Sequence, residues 1–397
     1  MSQRILLVAA RRTPFGRFRG RLAGRGPVSL ATAAAEAVCG GLDRAHIQQL
    51  LLGQVLAAGH GMNAARQVAL SAGLAETSTA LTVNMMCGSG LKALALGAQA
   101  IRAGEARAVL AGGVESMSQS QLLVPRPGRG QQADVTQLRD SMVTDGLRDV
   151  GIDEHMGDTA ERLAREYGLS RAEQDGWAVR SQAGFAAAES AGRFADELVP
   201  LGDFSRDEHP RPEVTPEELG GLKPVFAENG TVTAGNSSGI NDGAAMVLLA
   251  EESLVREQGW PVLCEWVGAV ECGCEPRRMG LGPVFALRRL LDGYGMSLGD
   301  IDQLEINEAF AAQVLACLRE LQLEAVAGSG RTPAPRPLVN PHGGAIAVGH
   351  PLAASGARLA VHLAWQIARG HVSTAACALC VGGGMGIAAL LRAAEGF

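Results

Sequence analysis

Aromatic residues are scarce: nine Phe, four Trp and two Tyr in 397 residues. A core built without them must come from Ala, Val, Leu, Ile and the 52 glycines, which suits closely packed helices on sheets. No apolar run approaches the ~18 residues needed to span a bilayer, so no membrane anchor is expected. The opening Ile5–Ala10 run is short and ends at Arg11-Arg12-Thr13-Pro14 without a small-residue cleavage pattern, so it reads as a first buried strand. Charge of one sign is also missing. With 35 basic and 41 acidic residues the net charge is −6, and no block of like charge forms a nucleic-acid arm. The cysteines at 39, 87, 264, 272, 274, 317, 377 and 380 do not form a disulfide framework, which favours a reducing, cytoplasm-like compartment.

Short apolar runs ending in glycine, such as Arg107–Gly113, alternate with Ala-rich stretches of helical length, the α/β pattern. The chain also resembles itself. Ser89-Gly90 matches Ser355-Gly356, and the same offset carries Ile101 onto Ile367 and Gly104 onto Gly370. Each copy leads into a strand ending in glycines, at Gly112-Gly113 and, four residues out of register, at Gly382-Gly383. Two copies of one α/β unit are expected. Between them, residues 117–235 turn polar, with Pro and Gly punctuation around helical stretches near 155–193, the mark of an inserted loop-rich layer.

Four segments combine a reactive side chain with glycines. Cys87 lies just before a helix beginning near Leu91, where backbone N–H groups and the helix dipole lower a thiol from about 8.5. It is either a nucleophile or a small buried hydrophobe. Asn340-Pro-His342 through Gly349-His350-Pro351 leads into the second-copy helix, so a pseudo-twofold axis brings His350 toward Cys87, with His342 as a competing candidate. Cys377-x-x-Cys380 precedes a glycine run; strand geometry puts the two thiols on opposite faces, which argues against a shared metal, and the glycines leave N–H groups for an oxyanion. Glu305-Ile-Asn307-Glu308 ends a strand, where Asn307 reads as a helix cap, a catalytic amide, or both. No phosphate loop or dinucleotide fingerprint is recognised.

Together these segments, with Arg12–Gly16 and Gly230–Gly239, resemble the thiolase family of acyl-CoA acetyltransferases along essentially the whole chain. The resemblance implies an α/β thiolase fold: duplicated βαβαβαββ halves in five layers (αβαβα) with an inserted loop domain. The expected division is 1–116 plus 241–265 for one core domain, 117–240 for the insertion and 266–397 for the other core domain. It implies Cys87 as the acylated nucleophile, His350 as its base, Cys380 as the second acid/base and Asn307 as the holder of a polarising water. Backbone N–H groups of Cys87 and Gly382 would hold the acyl oxygen. Coenzyme A contacts would fall on Leu147, His155, Met156, Arg211, Leu222, Ala234, Ser238, Met279 and Phe310.

The implied activity is condensation of two acetyl-CoA to acetoacetyl-CoA and the reverse thiolysis, with coenzyme A as substrate and product and no cofactor or metal. The His155-Met156-Gly157 run resembles the short-chain branch; a broader-range 3-ketoacyl-CoA thiolase of fatty or aromatic acid degradation is the alternative. A non-catalytic acyl-CoA-binding relative or a decarboxylating synthase fits less well, since Cys87, His350, Cys380 and Asn307 are all present. A homodimer or homotetramer is implied. Ala353 and Phe285 depart from the family's usual Gly and Pro, and Phe285 is expected near the coenzyme A region. Segment 118–141 matches poorly, and no contacts are carried over there.

Overall fold

A computed structural model describes residues 4–323 and 337–397. The chain runs β1 (Ile5–Arg12), α1 (Pro27–Val38), β2 (Gln49–Gly53), α2 (Ala64–Ser71), β3 (Thr79–Val83), α3 (Ser89–Arg102) and β4 (Ala108–Ser116). Helices α4 (Met156–Glu166) and α5 (Arg171–Ser190) follow in the insertion, then β5 (Asn241–Glu251). The second copy is β6 (Cys264–Gly273), α6 (Gly282–Tyr294), β7 (Gln303–Ile306), α7 (Ala311–Glu320), β8 (Leu338–Val339), α8 (Leu352–Ala368), β9 (Thr374–Val381) and β10 (Met385–Arg392).

Strand order exposes the duplication. The sheet reads β8-β7-β9-β10-β6-β1-β5-β4-β2-β3, with the short strand Gly16–Arg17 off the path beside β5. From the centre outward each half has the same sequence of strands, β1-β5-β4-β2-β3 against β6-β10-β9-β7-β8. In each the outer strands run parallel and the inner ones antiparallel. The expected βαβαβαββ unit is therefore present twice. One feature was not foreseen: the halves are continuous, joined edge to edge where Leu6 and Leu7 of β1 pair with Glu265 and Cys264 of β6.

The layers follow from burial. Strands β4, β5 and β9 are almost wholly buried, as central strands covered on both faces must be. Three separate apolar clusters fill the spaces between layers: one under α1 and α2, one between the sheets around α3 and α8, and one under α6 and α7. Helices α3 and α8 are the repeat detected in the sequence, and each is followed by a left-handed glycine, Gly104 at φ +74° and Gly370 at φ +69°.

The two helices meet at their repeated Ser-Gly pairs. A Cβ on Gly90 would stand 2.4 Å from the Ala353 carbonyl oxygen, one on Gly113 2.0 Å from the same atom, and one on Gly356 2.8 Å from Leu91 Cβ. Only glycine permits this approach, and it brings the N-termini of both helices to one place. The insertion supplies α4 and α5, as expected near 155–193; α4 packs on α7 of the second half, and α5 packs on the short helix Pro216–Gly220, on the turn Ala345–Val348 before His350 and on α7.

Candidate active site

Cys87 sits on the turn from β3 into α3, two residues before the helix. Met86 adopts φ +47°, a left-handed conformation that costs a non-glycine residue on the order of 1 kcal/mol. Ser89 holds the turn: its Oγ accepts from Met85 N at 2.8 Å and donates to Met86 O at 2.6 Å. Cys87 thereby faces a cavity of about 310 Å³ that is also lined by His350, Cys380 and Gly382.

His350 is placed from the other half. Its backbone N–H donates to Asn241 Oδ1 at 3.0 Å, and Asn241 Nδ2 donates to Gly16 O at 2.9 Å. Gly349 precedes it at φ +105°, with Asn241 where a side chain would stand. The ring Nδ1 lies 2.5 Å from Ser355 Oγ, and Ser355 Oγ lies 3.1 Å from Pro351 O. Because a carbonyl can only accept, the Ser355 proton goes to Pro351 and the hydroxyl oxygen accepts from Nδ1–H. Nε2 is left with its lone pair, 3.5 Å from Asn307 Nδ2. Burial and then the nearby Arg358 charge hold His350 down to about 4, so the ring is neutral and able to take a proton at pH 7.

The thiols behave differently from the expectation. Burial pushes Cys87 up to about 11, with the Glu115 charge adding to it, and the N–H groups of Gly382 and Cys87 itself act the other way without prevailing. The desolvation of the apolar cavity wall thus outweighs the helix terminus, and the resting pair is a neutral thiol beside a neutral imidazole. Cys380, at the end of β9 and 1% exposed, is raised further by burial and by Cys87. Cys377 belongs to the cluster between the sheets and Cys380 to the one beneath α6 and α7, so the strand does send them to opposite faces. All eight cysteines are free.

Asn307 does not cap a helix. Helix α7 begins at Ala311 with Phe310 at its N-cap, without a side-chain cap. Asn307 instead continues β7 by donating its backbone N–H to Ala378 O at 2.9 Å, which aims its amide at His350. His342 is not in the cavity wall. It lies 2.9 Å from His362, which lies 2.9 Å from Glu197, itself paired with Arg12 at 2.7 Å; Arg12 also holds Asp207. Arg12 and His342 belong to this buried polar chain.

Of the residues expected at coenzyme A, Leu147, His155, Met156, Ala234, Ser238, Met279 and Phe310 line the same cavity as Cys87. Arg211 and Leu222 do not; they line a second, more open depression of about 440 Å³ with Pro212, Val214 and Leu219. Gly235, next to Ala234, lies against Leu219 and Leu222, which connects the two. His155 caps α4, accepting from Gly157 N at 3.1 Å, and stacks on Phe226 at 4.9 Å. Phe285 is 40% exposed on α6 and is not part of the cavity wall. Ala353 is buried at the crossing of α8 with α3.

Sequence reasoning gave no role to Ser355, Glu115 or Glu308. The Glu308 carboxylate accepts from Trp177 Nε1, Ser181 Oγ, Asn340 Nδ2 and Ile346 N at 2.6–3.2 Å, tying α5 to the segment that leads to His350. Its place beside Asn307 was the available signal.

Comparison with known proteins agrees with this architecture. Residues 5–253 match the family model "Thiolase, N-terminal domain" and residues 260–393 match "Thiolase, C-terminal domain". An acetyl-CoA acetyltransferase of Pseudomonas aeruginosa is 46% identical, over 98% of this chain and 99% of the relative. A probable acetyl-CoA acetyltransferase of Escherichia coli is 43% identical over 98% and 99%. Among solved structures, human mitochondrial 3-ketoacyl-CoA thiolase in complex with CoA superposes with a TM-score of 0.91 at 38% identity, covering 99% of this chain and 98% of that one.

Proposed function

The chain belongs to the thiolase family, and from that premise we propose that it is an acetyl-CoA C-acetyltransferase working through an acetyl-Cys87 intermediate. The observation that carries the reading is the meeting of Cys87, His350 and Cys380 on one apolar cavity, with Asn307 facing His350.

In the first half-reaction His350 Nε2 takes the Cys87 proton as the sulfur attacks the thioester carbonyl of acetyl-CoA. The Cys87 and Gly382 N–H groups, which act on the sulfur at rest, would hold the tetrahedral oxyanion as it develops beside it. Collapse breaks the carbon–sulfur bond to coenzyme A, and the Cys380 thiol gives its proton to the leaving thiolate, which leaves Cys380 as a thiolate and His350 as an imidazolium. In the second half-reaction Cys380 takes an α-proton from a second acetyl-CoA, whose carbonyl is polarised by His350 and a water on Asn307. The resulting enolate carbon attacks acetyl-Cys87, the acyl carbon–sulfur bond breaks, acetoacetyl-CoA forms, and the imidazolium returns its proton to the Cys87 sulfur while Cys380 keeps the α-proton. Thiolysis is the reverse. A thiolate is both nucleophile and leaving group, so the chemistry calls for no cofactor, and coenzyme A is substrate and product.

The pantetheine arm would follow Leu147, His155, Met156, Ala234, Ser238, Met279 and Phe310, with the nucleotide reaching Arg211 and Leu222. We assign no metal, nucleic-acid or membrane role; among the described residues no helix is long and apolar enough to cross a membrane. The free cysteines fit a reducing, cytoplasmic setting. A homodimer or homotetramer is supported by the open edge strand β3, where Leu81 is 52% exposed.

Thiolysis of acetoacetyl-CoA, 3-ketohexanoyl-CoA and 3-ketodecanoyl-CoA at fixed CoA, with Cys87→Ser as control, tests the assignment. Activity concentrated on acetoacetyl-CoA is expected. Comparable rates on longer chains would assign the enzyme to degradation, and the absence of activity on all three would overturn the reading.

A further inference from the structure

Glu115 ends β4 and is fully buried, yet it belongs to none of the groups used above. Its carboxylate collects backbone N–H groups from two segments far apart in sequence. Oε2 accepts from Val55 N at 3.1 Å and from Ala353 N at 3.3 Å, and Oε1 accepts from Leu56 N at 3.0 Å. Ala353 is the second residue of α8, whose N-cap, Pro351, offers no side-chain cap. A carboxylate at that point satisfies an orphan N–H and meets the positive end of the helix dipole. Ala353 is gripped from its other side too, its carbonyl seated against Gly90 and Gly113. Val55, Leu56, Leu352 and Ala353 belong to one apolar cluster, and Met86 and Cys87 pack against it.

We propose that Glu115 is a positioning residue that ties the start of α8, just after His350, to the Val55–Leu56 segment whose apolar cluster backs the Cys87 turn, and that its carboxylate, buried behind that same cluster, is a like charge that disfavours the Cys87 thiolate until His350 takes the proton. The chain of contacts is explicit. Glu115 fixes Ala353; Ala353 fixes the first turn of α8; Ser355 in that turn fixes the His350 tautomer; His350 faces the cavity of Cys87. The charged groups facing the carboxyl are few. Asp242 of β5 and Cys87 before α3 act on it or are acted on by it, while the Val55, Leu56 and Ala353 amides are neutral. Burial, opposed by those three amides and assisted by Asp242, raises the carboxyl to about 7, so its charge is present above neutrality, where the thiol titrates.

The inference rests on the thiolase reading for its turnover arm only. The test compares the full-length wild type with Glu115→Gln, which removes the charge and keeps an acceptor oxygen, and Glu115→Asp, which keeps the charge and shortens the reach. Two quantities are measured: iodoacetamide alkylation of Cys87 as a function of pH, with the modified cysteine identified by mass, and kcat and KM for thiolysis of acetoacetyl-CoA. In Glu115→Gln the Cys87 titration is expected to move down by a few tenths of a pH unit, on the order expected for the smallest of the influences on it, because a like charge has gone. Its kcat is expected to fall about tenfold with KM changed less than about twofold, as misplacement of a base costs rate rather than binding. Glu115→Asp loses rate while its thiol titration stays with the wild type, and it carries the test if the Gln variant does not fold. Loosening that admits water would ease ionisation of the thiol in both variants, whereas loss of the charge eases it in Glu115→Gln alone, so the Asp variant separates the two. Unmoved Cys87 titration in Glu115→Gln, or full turnover in both variants, overturns the proposal. A wild type without thiolysis would sink the functional reading instead and leave the alkylation arm to judge the clamp.

Discussion

His350 and Ser355 share one short hydrogen bond, 2.5 Å from Nδ1 to Oγ, and that bond decides which ring nitrogen faces the cavity. The hydroxyl is committed to Pro351 O, so it can only accept from the ring. Ser355→Ala frees the imidazole to take either tautomer and to rotate. One hydrogen bond of about 1 kcal/mol corresponds to a fall of about five- to tenfold in kcat. KM for acetoacetyl-CoA should be unchanged, and steady-state kinetics checks both; a Ser355→Ala enzyme with wild-type kcat would remove the bond from the account.

The resting state of the Cys87 and His350 pair can be read from pH. With the thiol raised to about 11 and the ring lowered to about 4, both are neutral at pH 7. Alkylation of Cys87 by iodoacetamide should therefore climb steadily with pH from 6 to 9. A level plateau across that range would mean that a thiolate–imidazolium pair already exists at rest.

The helix crossing makes a stability prediction. Gly90→Ala would place a methyl 2.4 Å from the Ala353 carbonyl oxygen, where backbone rather than a flexible side chain must yield. Overpacking of this kind costs about 1–3 kcal/mol, read as a lower denaturant midpoint. Activity should fall with stability, since α3 and α8 carry the two turns. Gly104→Ala, with open space around its Cβ but φ +74°, should cost less, about 1 kcal/mol of backbone strain.

Acid should loosen the buried chain at Glu197. Burial raises this carboxyl, but Arg12 and His362 outweigh burial and bring it down to about 2. Against an unfolded value of about 4.3 the folded pKa is depressed, so the stabilisation is present above pH 4.3 and lost as pH falls toward 2. The linkage is worth up to about 3 kcal/mol. Urea midpoints measured between pH 5 and 2.5 should fall for the wild type. Glu197→Gln should start lower and show a shallower dependence on pH over that window.

Much of the site could be read from the chain because its reactive residues are local to glycine turns. Cys87, His350 and Cys380 each announce themselves within a few residues, and the Ser-Gly repeat anticipated that two of those turns would meet. What could not be read depends on partners distant in sequence. Ala353 lies 238 residues from Glu115, and Glu197 lies 185 from Arg12 and 165 from His362. No spacing rule links such pairs. The Cys87 titration went the other way from its local reading for a related reason: the helix terminus is visible in sequence, whereas the apolar wall that desolvates the thiol is assembled from the insertion and both copies. Arg211 and Leu222 sit on a loop whose path local pattern does not determine.

The seating of the Ala353 carbonyl between Gly90 and Gly113 gives the duplication an evolutionary reading. Once one copy kept the cysteine and the other the histidine, neither repeat held a working set by itself, and they ceased to be interchangeable. Selection for chemistry then fell on the seam between them. At that seam the constraint runs one way: the carbonyl at 353 is backbone and is kept by any residue there, so Gly90 and Gly113 should stay glycine across descendants of the ancestral pair whatever side chain stands at 353.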